Sequence, residues 1–72
     1  YNYYKTNYYS IGGEEMKGIE LVRQMQRLGW VIDRIHGSHY IMKKGNQTEV
    51  IPVHNKDLPP GLLSSIKKRV GL

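Results

Sequence analysis

The 72-residue sequence predicts a small α+β domain of order α-β-β-β-α, a two-layer sandwich with a three-stranded antiparallel sheet and two helices on one face. Two segments, 18–28 and 62–70, carry apolar side chains at helical spacing. The stretch between them, from residue 30 to 53, is rich in aromatic and β-branched residues and is broken by glycine turns. Each helix has one apolar stripe to bury, and a single sheet face serves both. The opposite face, or an edge, is left for function.

The first helix runs from Gly18 to Leu28. Ile19, Val22 and Met25, with Leu21 and Leu28, fall on one half of the wheel, Glu20, Arg23, Gln24 and Arg27 on the other, and Gly29 supplies the stop. Trp30 to Ile35 is too short and too β-branched for a helix and reads as a strand. Gly37-Ser38 is a turn signal, His39 to Lys43 a second strand, and Gly45-Asn46 a tight hairpin turn. Thr48 to Val53 is the third strand. Pro52 cannot donate to a ladder, so it marks that strand's edge or end. Trp30, Met25 and Met42 read as core rather than as stacking or peptide-binding groups.

In the last helix Leu62, Leu63, Ile66 and Val70 form the stripe, with Ser64, Ser65, Lys67, Lys68 and Arg69 facing outward. Pro59 or Pro60 suits the first turn, the three cations complement the dipole at the other end, and Gly71 closes it. Free N–H groups after Pro60 and Gly61 would suit a phosphate, but Asp57 or nearby backbone is the expected cap.

Charge is unevenly spread. Residues 1–15 hold Lys5 against Glu14 and Glu15, a net −1, whereas from Met16 onward 10 Lys+Arg face 4 Asp+Glu, a net +6. Such a cationic domain favours polyanions, nucleic acid first. Five of the six tyrosines lie in the Tyr/Asn-rich stretch at the start, and Met16-Lys17 resembles a translation start. Residues 1–15 are therefore expected to be a leader or an expression-derived segment, and 16–72 the domain. Cysteine is absent, which excludes disulfides and thiolate metal sites and suits a reducing cytosol. No apolar run approaches the roughly 20 residues of a membrane span and no signal-peptide pattern appears, so a cytoplasmic protein is expected.

The string Gly29-Trp30, Arg34, Gly37-Ser38-His39, Val50, Pro52-Val53-His54, Asp57-Leu58-Pro59, Gly61 and Ile66 resembles the HicA toxins of bacterial HicA/HicB toxin–antitoxin pairs. The resemblance spans essentially all of 16–72. It implies a double-stranded-RNA-binding-like fold and a toxin that cleaves messenger RNA without needing the ribosome. It places the family's functional histidine at His39 and its small-residue turn at Gly37 and Ser38. It also implies a HicB-type antitoxin that binds the toxin and covers this histidine.

The chemistry fits the residue types. RNA carries its own nucleophile in the 2′-hydroxyl, so cleavage needs a base for that proton, donors for developing charge and an acid for the 5′-oxygen. Histidine titrates near neutral pH, and such proton transfers contribute roughly 10²–10⁴-fold. Taken alone, Gly37-Ser38 is an ordinary hairpin turn; the resemblance makes it a place where backbone approaches a phosphate. His36, His54, Tyr40, Lys56 or water are the candidates for the second proton-transfer role. For RNA binding the candidates are Gly37, Ser38, Arg34, Lys43, Lys44 and Lys56, with Arg34 and Lys43 preferred if the strand register brings them to His39's side.

No metal and no cofactor are expected. His36 and His39 flank a turn, no carboxylate lies between 36 and 48, and a zinc site usually takes three or four protein ligands. The alternative function is a non-catalytic RNA-binding module, which would have no need for Gly37-Ser38-His39. A DNA-binding domain would need a recognition helix with base-reading side chains, and Ser64, Ser65, Lys67 and Lys68 make a poor one.

Overall fold

The computed structural model describes residues 15–72; the leader expected over residues 1–15 lies, apart from Glu15, outside the described residues. Helix α1 (Gly18–Arg27) is followed by strands β1 (Val31–His36), β2 (His39–Lys44) and β3 (Gln47–Pro52) and by helix α2 (Pro60–Val70). The sheet order is β1-β2-β3, antiparallel throughout. The α-β-β-β-α order and the α+β class are those the sequence predicts, with boundaries displaced by one or two residues.

Local chemistry explains the helix ends. Lys17 has only donors on its side chain, so half of a capping box forms: its backbone N–H donates to Glu20 Oε1 at 2.8 Å. At the other end Gly29 takes φ 98°, with Gly29 N–H donating to Gln26 O and Trp30 N–H to Met25 O, both at 3.0 Å. This Schellman closure directs the chain into β1 and swings Trp30 inward. Gly71 closes α2 in the same left-handed region. The N-terminus of α2 differs from expectation: Pro59 occupies the cap position and no side chain caps it. Asp57 instead pairs with Lys17 through a β-bridge and an ion contact of 3.8 Å, tying the β3–α2 loop to the start of α1.

The core consists of Met16, Leu21, Val22, Met25, Trp30, Met42, Ile51, Leu58, Leu63 and Ile66, so both helices cover the face that carries Met42 of β2 and Ile51 of β3. Of the predicted stripes, Leu28 and Leu62 remain exposed, each at the margin of its helix. Trp30 is 2% exposed, and its indole Nε1 is buried without an acceptor among the described residues. Arg69 of α2 reaches across to Glu49 of β3 in a two-pronged pair, Nε to Oε2 at 2.8 Å and Nη2 to Oε1 at 2.9 Å. That hydrogen bond raises the Arg69 guanidinium above its usual value.

The helices do not extend over β1. Every residue of that strand is exposed, including Ile32 and Ile35, which the register places on the helix side opposite Met42 and Tyr40. Ile35 is 51% exposed although it is apolar and faces the helical layer. The sheet is thus a covered pair of strands with an overhanging third.

At Gly18 the first helix comes directly against the backbone of β3. A Cβ built there would lie 2.1 Å from the backbone oxygen of Pro52. Alanine is the better helix former by about 1 kcal/mol, yet Gly18→Ala should destabilise the domain by about 1–3 kcal/mol, because the obstacle is backbone and cannot rotate away. Urea melts of the two proteins check this. By contrast, Met42→Ala should cost about 2–5 kcal/mol, and Ile35→Ala, at an exposed position, well under half of that.

Candidate nucleic-acid interface

His39 opens β2 directly after the Gly37-Ser38 turn. Gly37 takes φ 58°, the left-handed backbone that the primed two-residue hairpin turns require at their first central position. The Gly45-Asn46 turn uses the same device, with φ 59° at Gly45. His39 is exposed and Ser38 half-buried. Ser38 is fixed from the far side as well, since its carbonyl accepts the Val53 N–H at 2.7 Å. The bend is therefore held between β1 and the chain leaving β3.

Register decides which side chains accompany His39. It pairs with Pro52 on one side and with His36 on the other. Residues paired across strands share a face, so three rows run across the helix-free side of the sheet. The first is His36, His39 and Pro52; the second is Arg34, Ile41 and Val50; the third is Val31, Lys43 and Thr48.

β1 reaches this arrangement through a bulge. Its register slips between Ile32 and Arg34, leaving Asp33 as the extra residue. Strict alternation from Val31 would have put Arg34 and His36 on the helix side. The inserted residue reverses the phase, so both join His39. No pattern in the sequence announces that insertion, and β1 was expected as a regular strand.

Arg34 and Lys43 therefore lie on the same face as His39. Arg34 stands one row away; Lys43 stands four residues along β2, roughly 13 Å at strand rise. Lys44, one residue further, belongs to the opposite face, and its side chain runs past Gly29, whose built Cβ would lie 3.5 Å from Lys44 Cε. Tyr40 is likewise on the helix side, half-buried against the core. Lys56 is in the β3–α2 loop, where Val53, His54, Asn55 and Lys56 line an open depression of about 580 Å³ beyond Pro52. Lys67 and Lys68 are on α2, across the sheet from His39. The rings of His36 and His39 and the heads of Arg34 and Lys43 make no hydrogen bond or ion pair among the described residues. Val31 and Val50, 59% and 48% exposed, add apolar surface between the cations. Among the described residues no group of three His, Asp or Glu is placed to hold a metal ion. No helix among them is long and apolar enough to cross a membrane.

Fold and site together define a class of protein: a small basic domain whose helices cover two strands of a three-stranded sheet on one side and whose other side presents a histidine beside a glycine bend. More specifically, the chain belongs to the HicA toxin family of bacterial toxin–antitoxin pairs, whose family model matches residues 18–72. It is thus the toxin of such a pair, and its partner is an antitoxin. No curated protein matches the chain.

The geometry of the bend is open to test. Space around Gly37 is free, so a Cβ there meets nothing. The cost of Gly37→Ala should then come from handedness alone, about 1–2 kcal/mol in a thermal melt. Gly37→Asn, whose side chain tolerates that region, should cost less.

Proposed function

We propose that this toxin is a metal-independent endoribonuclease that cleaves messenger RNA in the cytoplasm, with His39 as the group its chemistry requires. The observation that carries the reading is His39 itself: an exposed imidazole with no hydrogen-bond or ion-pair partner among the described residues, set at a glycine bend on the uncovered sheet face, with Arg34 on the same face. A buried, packed ring would have argued for a structural histidine. Gly37 offers unobstructed backbone beside it, where a phosphate can approach, and Ser38 adds a hydroxyl next to it. Arg34 and Lys43 supply sequence-independent attraction for the RNA backbone, Lys56 extends it along the loop, and Lys44 reaches it only from the far side of the strand.

His39 is proposed to move one of the two protons that RNA cleavage requires, and the 2′-hydroxyl next to the scissile phosphate to be the nucleophile. A 2′,3′-cyclic phosphate is then the product. A HicB-type antitoxin is proposed to neutralise the toxin by covering this face. The exposed Val31 and Val50, the half-buried Ile41 and the cations around them suit a partner that is apolar at its centre and acidic at its rim.

His39→Ala should reduce RNA fragmentation by at least about 10²-fold while leaving RNA binding and the melting curve unchanged. Binding by the wild-type chain with no fragmentation at any concentration would select a non-catalytic binding module instead. Arg34→Ala and Lys43→Ala should each weaken binding across all RNA sequences and flatten its dependence on salt by about one counterion, as measured by anisotropy titrations at several salt concentrations.

A further inference from the structure

Cleavage through the 2′-hydroxyl needs two proton transfers, and one histidine serves only one of them at a time. We propose that His36 is the second catalytic residue, facing His39 across the hairpin so that the two imidazoles bracket the scissile phosphate. This rests on the ribonuclease reading above and adds to it the identity of the missing group.

Register carries the argument. Of the side chains chemically able to take the second role, only His36 is paired with His39. Tyr40 follows His39 on the same strand and so points to the helical layer, where it packs against the core. His54 and Lys56 lie in the loop beyond Pro52, past the last paired residue of β3. Directly opposed residues on an antiparallel pair have Cβ atoms roughly 4.5–5.5 Å apart. From that spacing two exposed rings can splay until their outer nitrogens reach opposite sides of a phosphate. An in-line displacement needs this separation, because the entering and leaving oxygens stand on opposite sides of phosphorus and a base and an acid must each reach one of them.

The surroundings of the pair are sparse. On β1 the ionisable neighbour on this face is Arg34, and on β2 it is Lys43; β3 contributes Thr48, Val50 and Pro52, none of them ionisable. Among the described residues neither ring is engaged in a structural hydrogen bond or ion pair. Two adjacent, exposed imidazoles without such a contact among the described residues contribute little to stability, and the phase of His36 depends on the bulge at Asp33.

The step balances within the pair. One neutral imidazole takes the 2′-hydroxyl proton as the 2′-oxygen forms its bond to phosphorus. The P–O5′ bond breaks, and the other ring, present as imidazolium, gives its proton to the departing 5′-oxygen. The products are a 2′,3′-cyclic phosphate and a 5′-hydroxyl, and the total number of protons on the two rings is unchanged.

The test compares wild type, His36→Ala, His36→Gln and His39→Ala on a short RNA and on the same RNA carrying a sulfur in place of the scissile 5′-oxygen. A thiolate leaves without an acid, so the sulfur substrate removes the need for one of the two groups. On ordinary RNA each His36 variant and His39→Ala should fall by at least about 10²-fold in kcat/KM, and the bell-shaped pH profile of the wild type should lose one limb in each. On the sulfur substrate one of the two histidine positions, and only one, should regain near wild-type rate. Circular dichroism should show all variants folded, since both rings are exposed. If the His36 variants cleave ordinary RNA within about threefold of wild type while His39→Ala is inactive, the pairing is wrong and the His39 reading stands. If the wild type itself releases no cyclic phosphate, both fall together.

Discussion

The make-up of the helix-free face of this domain depends on one irregularity in backbone pairing, the extra residue at Asp33. A strand has a side-chain period of two, so a single inserted residue exchanges its faces from that point on. Before the bulge, Ile32 looks toward the helices; after it, Arg34 and His36 look away from them and Ile35 takes the inward direction. A cation and an imidazole thereby join the side that the helices leave open, and an isoleucine leaves it. The helix-free face would otherwise hold a lone histidine, with its nearest basic neighbour four residues along the same strand.

The rest of the fold serves to hold that face in place from behind. Met42 and Ile51 anchor the two inner strands to both helices. Gly18 lets α1 sit directly on the Pro52 carbonyl, and Pro52 is the residue opposite His39. Arg69 and Glu49 tie α2 to the same strand at a position where the carboxylate is largely covered and the guanidinium is not, so the pair acts as a geometric clasp more than as a large store of stability. The β3–α2 loop is closed from two directions, by Val53 on the Ser38 carbonyl and by Asp57 on Lys17. The bend before His39 is thus braced by the end of one strand and, through that strand, by the first turn of a helix.

Much of this was legible in the residues. Periodicity of two and of 3.6 gave the element order, Gly29 and Gly71 the helix ends, Gly37 and Gly45 the turns, and Trp30, Met25 and Met42 the interior. His39 stands out as the candidate because a glycine-serine bend precedes it and the whole string resembles a known family, and its place on the exposed, helix-free side follows from the register. What escaped has a common cause: it depends on where chains meet rather than on what each chain is. The bulge at Asp33 is a property of two strands together. The clasp between Arg69 and Glu49 joins residues twenty apart whose types alone suggest two solvated charges. Asp57 looked like a helix cap because it stands near a helix start, but Pro59 intervenes and the carboxylate finds Lys17 instead. That Lys44 would turn away from the face shared by Arg34 and Lys43 follows from alternation once β2 has a register, and not before.

β1 carries two of the face's ionisable groups, yet it is bound to the domain almost wholly through one ladder of hydrogen bonds to β2. Its inward-facing Ile32 and Ile35 are 36% and 51% exposed, so they gain less from burial than Met42 and Ile51 of the two inner strands, which are fully buried. Local opening of the Val31–His36 edge is accordingly less costly than unfolding of the whole. Amide exchange should be graded across the sheet, fastest in this outer strand and slowest in the two under the helices. The half of the face contributed by β1 is then the compliant half, able to adjust to whatever lies on it, while His39 stays on the rigid one.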